Sequence, residues 1–229
     1  MGHRYRNSCK VTSVNTGLTP AERRQRNPRG EGSRLRQDIL EAASRILEAT
    51  GSEQAVTLRA VARAVGISAP SIYAHFPDRE AIVDQLVAGG FAELTAGLLA
   101  AMSAYDRPAD RLLAACRSYL RYAAEHPRRY RILFHHPDLR DHRQDIDPAA
   151  NAQGAAALNV LVPAIAGCAQ TGLSASRDHF ADAVAVWVAL HGFATLLAET
   201  AQDFPWPDHD QLLTAMVVRL AQLAGPEAT

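Results

Sequence analysis

The twenty residues from Thr57 to Phe76 constrain the fold of this chain more than any others, because they prescribe two short helices pinched around one glycine. The first is expected over Leu58 to Val65, with the Thr57 hydroxyl accepting from the free amides of its first turn. Leu58, Val61, Ala62 and Val65 recur at spacings of three and four, so they share one inward face. Gly66 has no Cβ to oppose positive φ, the conformation that a tight turn between crossed helices requires. Ile67 is then an apolar plug beneath the turn. Ser68 is placed to cap a second helix over Ala69 to Phe76, with Pro70 in the first turn, where a missing amide costs little.

The second helix divides its side chains. Ile72 and Phe76, four apart, face inward, while Ala69, Ser71, Tyr73 and His75 point elsewhere. Small, hydroxylic and imidazole groups on one short helix fit the major groove of duplex DNA, which presents donors and acceptors at every base pair. The hydroxyls of Ser68, Ser71 and Tyr73 and the helix N-terminus suit phosphate oxygens. An ordinary amphipathic hairpin inside an all-α protein would satisfy the same pattern.

From Arg34 to Leu94 the chain resembles the DNA-binding domain of the TetR family of bacterial transcriptional regulators. The resemblance is carried by Ile39, Ala42-Ala43, Gly51, Thr57, Val61-Ala62, Val65-Gly66-Ile67-Ser68, Ile72-Tyr73, His75-Phe76 and Arg79-Glu80, without gaps. It implies a three-helix domain whose third helix enters the major groove, then a long fourth helix leading into a regulatory domain. It also implies a homodimer bound to a palindromic operator, most simply a repressor, and released by a small-molecule effector. The expected DNA-facing set is Arg34, Thr57, Leu58, Arg59, Ser68, Ala69, Pro70, Ser71, Tyr73, His75, Phe76 and Arg79. By the resemblance, Tyr73 and His75 touch backbone or bases and Arg79 meets a phosphate. Ala69 and Ser71 are small where many relatives carry larger groups, so DNA shape has a larger part to play.

The zero net charge hides an asymmetry. Residues 1–36 hold nine basic side chains against Glu22 and Glu31, a net of +7, so the rest carries −7. Residues 1–33 are rich in Gly, Pro, Asn and Ser and are expected to form a basic arm ahead of a DNA-binding domain over 34–94. A solvated tail is the alternative for residues 1–20. The remainder, 95–229, is expected to be a helical regulatory and dimerisation domain. With 48% hydrophobic residues and no alternating β-branched run, the whole reads as all-α. Cys9, Cys116 and Cys168 are scattered, no leader-like apolar core follows the early charges, and the apolar stretch 155–169 is too short for a bilayer. A cytoplasmic location without membrane attachment is expected.

A first helix is expected over Leu35 to Ala49, ended by Gly51, and a fourth from an Asp78 cap to about Met102. Gly89-Gly90 either bends that fourth helix or admits a close neighbour. Further helices are expected at about 109–125, 128–134, 148–172, 176–200 and 208–223. No triad, P-loop or dinucleotide-binding turn is present, so neither catalysis nor a cofactor is expected. Trp187, His191 and Gly192 match a Trp-x-x-x-His-Gly signature carried by one subgroup of TetR regulators. Trp187 and His191 share a helix face and either line a ligand cavity or serve as a core tryptophan and a hydrogen-bonded interior histidine. The tract from His135 and His136 through His142 to Asp147 holds zinc-type ligands but lacks a helical His pair and reads mainly as a loop. It keeps a metal-responsive sensor as one alternative, and a helical enzyme using His191 as acid or base is the other. The last two helices, with Ala181, Val184, Ala185, Val188 and Ala189 on one and Leu212, Leu213, Met216, Leu220 and Leu223 on the other, are expected to make the dimer.

Overall fold

The computed structural model describes residues 31–135, 148–199 and 204–224, and these form α-helices with no strand among them. In chain order they are α1 (Glu31–Thr50), α2 (Leu58–Val65), α3 (Ala69–Ile72), α4 (Arg79–Met102), α5 (Pro108–Glu125), α6 (Pro127–His135), α7 (Pro148–Gln170), α8 (His179–Glu199) and α9 (His209–Leu220). A single 3-10 turn, Glu53–Ala55, follows α1 and was not foreshadowed by the sequence pattern. The basic arm up to residue 30 and the tract from His136 to Asp147 lie outside the described residues.

Local chemistry sets the helix ends. Gly51 closes α1 at φ +65°, its amide donating to Leu47 O at 2.8 Å. Asp78 Oδ1 accepts from the Ala81 amide at 2.7 Å and starts α4, with Glu80 in the first turn against the helix dipole. Beyond α7, Gly172 takes φ +74°, and the Leu173 amide reaches back to Cys168 O at 2.8 Å. The same motif ends α9, but there Gln222 occupies the left-handed position at φ +51°. The two turns are stitched together: Ser174 bridges Leu223, and Ser174 Oγ donates to Ala221 O at 2.7 Å. Arg117 adds a forked contact from α5 to Asp210 on α9, at 2.5 and 2.9 Å, which holds the Asp210 carboxyl below the usual carboxylate range.

α4 is the spine. It packs against α1, α5, α6 and α7, meeting α6 midway at Gly90, Phe91 and Glu93, and it runs as one helix through Gly89-Gly90 and across residues 94 and 95. Of the two roles expected for the glycines, the close approach is seen at Gly90: a Cβ there would stand 2.7 Å from Leu133 Cδ2, while Gly89 faces open space. Tyr122 Oη donates to Gly90 O at 3.3 Å across the same contact. Val87, Phe91 and Leu94 of α4 join the core under α1–α3 to that of the later helices, so one continuous apolar cluster runs from Ile39 to Ala221.

Two helices exceed the 155–169 stretch as candidates for crossing a bilayer by length and composition alone. They are α4 and α8, with mean hydropathy 1.3 and 1.7 over their best windows. Only 33% of that window is buried in α4, although Ile82, Val83, Val87, Phe91, Leu94 and Leu98 lie in the core. For α8 only 28% of that window is buried within one chain, so its apolar surplus is not consumed there.

Candidate nucleic-acid interface and regulatory cavity

The α2–α3 unit is built as its residues dictate. Thr57 Oγ1 accepts from the Ala60 amide at 3.1 Å, and Gly66 sits in the left-handed region at φ +79°. The Ile67 amide reaches Ala62 O at 3.0 Å and the Gly66 amide reaches Arg63 O at 3.3 Å, the paired bonds of a Schellman ending, with Ile67 packed against the core.

Two expectations need correction here. The second helix stops at Ile72, and Tyr73 to His75 continue only as a turn. Ile72 O accepts from both His75 and Phe76, at 2.8 and 2.9 Å, and Pro77 pushes the residue before it out of the α region. Ser68 occupies the cap position, yet its hydroxyl bonds no backbone amide and instead pairs with Ser71 Oγ at 2.7 Å. Pro70 has no N–H to offer, and the Ser71 amide is taken by the backbone oxygen of Ser68 at 2.9 Å.

Around this unit Arg34, Thr57, Arg59, Ser68, Pro70 and Tyr73 are exposed, while Leu58, Ala69, Ser71, His75 and Arg79 are half-buried. Tyr73 is 59% exposed and uses none of its ring in the core. Phe76 is 1% exposed, so it supports the surface from below and cannot itself lie against DNA. Arg79, expected on a phosphate, already faces Glu80 Oε1 at 3.2 Å and Glu53 Oε1 at 4.0 Å. One positioning residue was missed. Arg36 of α1 lays its guanidinium 4.2 Å over the Phe76 ring and donates to His75 O at 3.1 Å, fixing the end of the turn. Its signal was hidden because it counts equally well as the last charge of the basic arm.

Beyond α4, Trp187 and His191 do share a face, and both are half-buried. His191 Nδ1 is 2.7 Å from Tyr130 Oη, and Tyr130 Oη is 3.0 Å from Tyr119 Oη. The Phe134 ring lies 4.6 Å from His191 and 4.9 Å from Tyr130. Burial raises both phenols, Tyr130 to about 12, so they remain protonated and the string stays hydrogen-bonded. His191 is thus an interior histidine with a partner. Tyr119 and Tyr130 had no sequence signal, because three separate helices bring the string together.

Beside Tyr130 lies a cavity of about 320 Å³ between α5, α6 and α8, lined also by Arg128, Arg131, Thr195 and Glu199. A second, of about 340 Å³, lies between the end of α1 and α6 and shares Arg128 and Arg131. A third, of about 250 Å³, separates α1 from α4 beside Gly90 and Arg129. Arg129 spans this junction, 2.9 Å from Glu48 Oε1 on α1 and 3.0 Å from Glu93 Oε2 on α4, and Arg131 Nη2 donates to Gly51 O. Among the described residues no cluster of three or more metal-ligating side chains occurs.

Two family models match the chain. The one described as bacterial regulatory proteins, tetR family, covers residues 39–86, and that described as tetracyclin repressor-like, C-terminal domain, covers residues 112–220. A Rhodococcus sp. RHA1 protein of unknown function is 27% identical, with a TM-score of 0.73 over 87% of this chain and all of that one. A bacterial regulatory protein of the tetR family from Rhodococcus RHA1 is 18% identical, with a TM-score of 0.62 over 82% of this chain and 97% of that one. The Bacillus subtilis regulator FadR in complex with stearoyl-CoA, 14% identical, has a TM-score of 0.64 over 81% of this chain and 97% of that one. No curated protein matches.

Proposed function

The chain belongs to the TetR family of bacterial regulatory proteins, and on that premise we propose that it is a homodimeric, cytoplasmic repressor that binds a palindromic operator and is released by a small-molecule effector. The observation that carries this reading is the exposed surface from Ser68 to Tyr73, held rigid from beneath by Ile72, Phe76 and Arg36. Ser68, Ala69, Pro70, Ser71, Tyr73 and His75 face the groove. Arg34, Thr57 and Arg59 flank it near the phosphates, Leu58 and Phe76 act as supports, and Arg79 exchanges its carboxylates for a phosphate when DNA arrives. The basic residues before α1 supply a salt-sensitive contribution that carries little sequence information.

Dimerisation follows from the size of the reading surface: one short helix touches few base pairs, and a two-fold axis doubles the contacts. The α8 face bearing Ala181, Val184 and Val188 is open in one chain, which supports the last two helices as the interface. Each partner then presents α8 and α9 to an intersubunit four-helix bundle. The two reading heads stand about 34–36 Å apart, one turn of DNA. Effector binding among the helices after α4 favours a different spacing, and the operator is released. The stearoyl-CoA complex of a regulator with the same fold supports an effector site in that region. Trp187, His191 and Gly192 match the Trp-x-x-x-His-Gly signature, which supports a place in that subgroup.

Selection of bound fragments from random or genomic duplex DNA tests the whole reading. The expected result is a two-fold symmetric site with half-sites about 10 base pairs apart. Recovery of fragments without any shared sequence would refute it.

A further inference from the structure

Arg128 and Arg131 are placed unusually. Both line the cavity between α5, α6 and α8, and both line the cleft between α6 and the end of α1. Arg131 donates to the carbonyl of Gly51, the residue that closes α1, and a Cβ on Gly51 would stand 3.4 Å from Arg128 Nε. At its other end α1 holds Arg36 against Phe76 and His75. One side chain therefore touches the regulatory cavity and the helix on which the reading surface rests.

The cavity has the chemistry of an acid site. Arg128 and Arg131 line it together with one carboxylate residue, Glu199, so the formal charge of its lining is net positive. Thr195 lines it too, but its Oγ1 is shielded from the cavity, so the arginines are the candidate donors to a ligand. Alanine methyls and the Tyr130 ring make up much of the rest, and about 320 Å³ is at the small end of ligand sites.

We propose that the effector is a compact carboxylic acid with an apolar body, held by Arg131 and Arg128, and that it acts by competing with the Gly51 carbonyl for the Arg131 guanidinium. The inference rests on the ligand-responsive reading given above and specifies its ligand class and its switch. A charge-assisted bond to a carboxylate is stronger than one to a neutral carbonyl, so an acid in the cavity draws Arg131 away from α1. A neutral ligand of the same shape fills the cavity without moving the arginine. By linkage, whatever the acid does to operator affinity, the operator does to acid affinity.

The test uses the full chain, its selected operator, and two probe pairs: octanoate with octanamide and phenylacetate with phenylacetamide. Titration calorimetry is expected to show at least one acid binding about tenfold or more tightly than its amide, with the advantage lost in Arg131→Gln and kept in part in Arg131→Lys. That acid is expected to change the operator dissociation constant by about fivefold or more in the parent chain and by less than about twofold in Arg131→Gln. Unchanged helicity and thermal midpoint in Arg131→Gln show that the loss is not misfolding, and because the variant also lacks the Gly51 contact, its operator affinity without acid is expected to lie near that of the acid-saturated parent. An operator bound normally while both acids match their amides, or while neither acid binds at millimolar concentration, overturns the inference and leaves the repressor reading standing. Absence of operator binding before any acid is added overturns that reading instead.

Discussion

Tyr73 and Phe76 sit three residues apart at the end of the same turn and do opposite work. The phenol of Tyr73 projects into solvent, 59% exposed, and the ring of Phe76 lies under it at 1%, covered by Arg36. Tyr73→Ala is therefore expected to leave the thermal midpoint unchanged and to weaken duplex binding by on the order of 1–3 kcal/mol. Phe76→Ala opens a cavity and strands the Arg36 guanidinium, at a cost of about 3–5 kcal/mol of stability. Chemical denaturation beside a DNA titration separates the two, and equal loss of stability in both variants would contradict the assignment. Side chains whose task is local were legible from the sequence: Thr57 and Asp78 as caps and Gly66 as the left-handed turn each depend on neighbours within four residues. The Tyr119–Tyr130–His191 string was not legible, since its members come from α5, α6 and α8 and no spacing within one helix announces it.

Among the helices, α4 shows how two adjacent glycines can differ in their consequences. Both remove a side chain from a helix that would otherwise gain from one, since glycine costs about 0.5–1 kcal/mol relative to alanine in a helix interior. Gly89 faces open space, so Gly89→Ala is expected to stabilise the protein by about that amount. Gly90 faces Leu133, itself buried, so the methyl of Gly90→Ala must displace α6 or the leucine. The overpacking cost of about 1–3 kcal/mol offsets or exceeds the helix gain, and the net effect is neutral to destabilising. Thermal unfolding of the two single variants reads the difference directly, and an equal rise in both midpoints would show that α4 and α6 are not in close contact. The sequence pattern located α4 to within a residue because its cap is local and its apolar residues are continuous. It overran α3 because the ending depends on two competing features, a tightening last turn and Pro77, while the inward spacing of Ile72 and Phe76 persists beyond the helix.

On the scale of the whole molecule, the question is what covers α8. The helix buries Ala183, Val186, Leu190, Phe193 and Ala194 against its own chain and turns Phe180, Val184, Val188 and Leu196 outward, with Val188 at 58% exposure. A helix apolar on both sides is ordinarily buried on both sides. The small residues Ala181, Ala185 and Gly192 lie on the open side and allow a second helix to approach closely. A lipid would accept the same face, but the protein's place among regulators that act on DNA favours a second copy. In a two-fold interface every substitution occurs twice, so Val188→Glu brings two carboxylates into one dry contact. The expected cost to the dimer is at least about 3 kcal/mol, with little cost to the monomer because the site is solvated there. Sedimentation at micromolar concentration should then show a species of half the parental mass with unchanged helical content, and operator affinity should fall with it. Were the variant to remain dimeric, the interface would have to lie elsewhere, and the open side of α8 would need a different occupant.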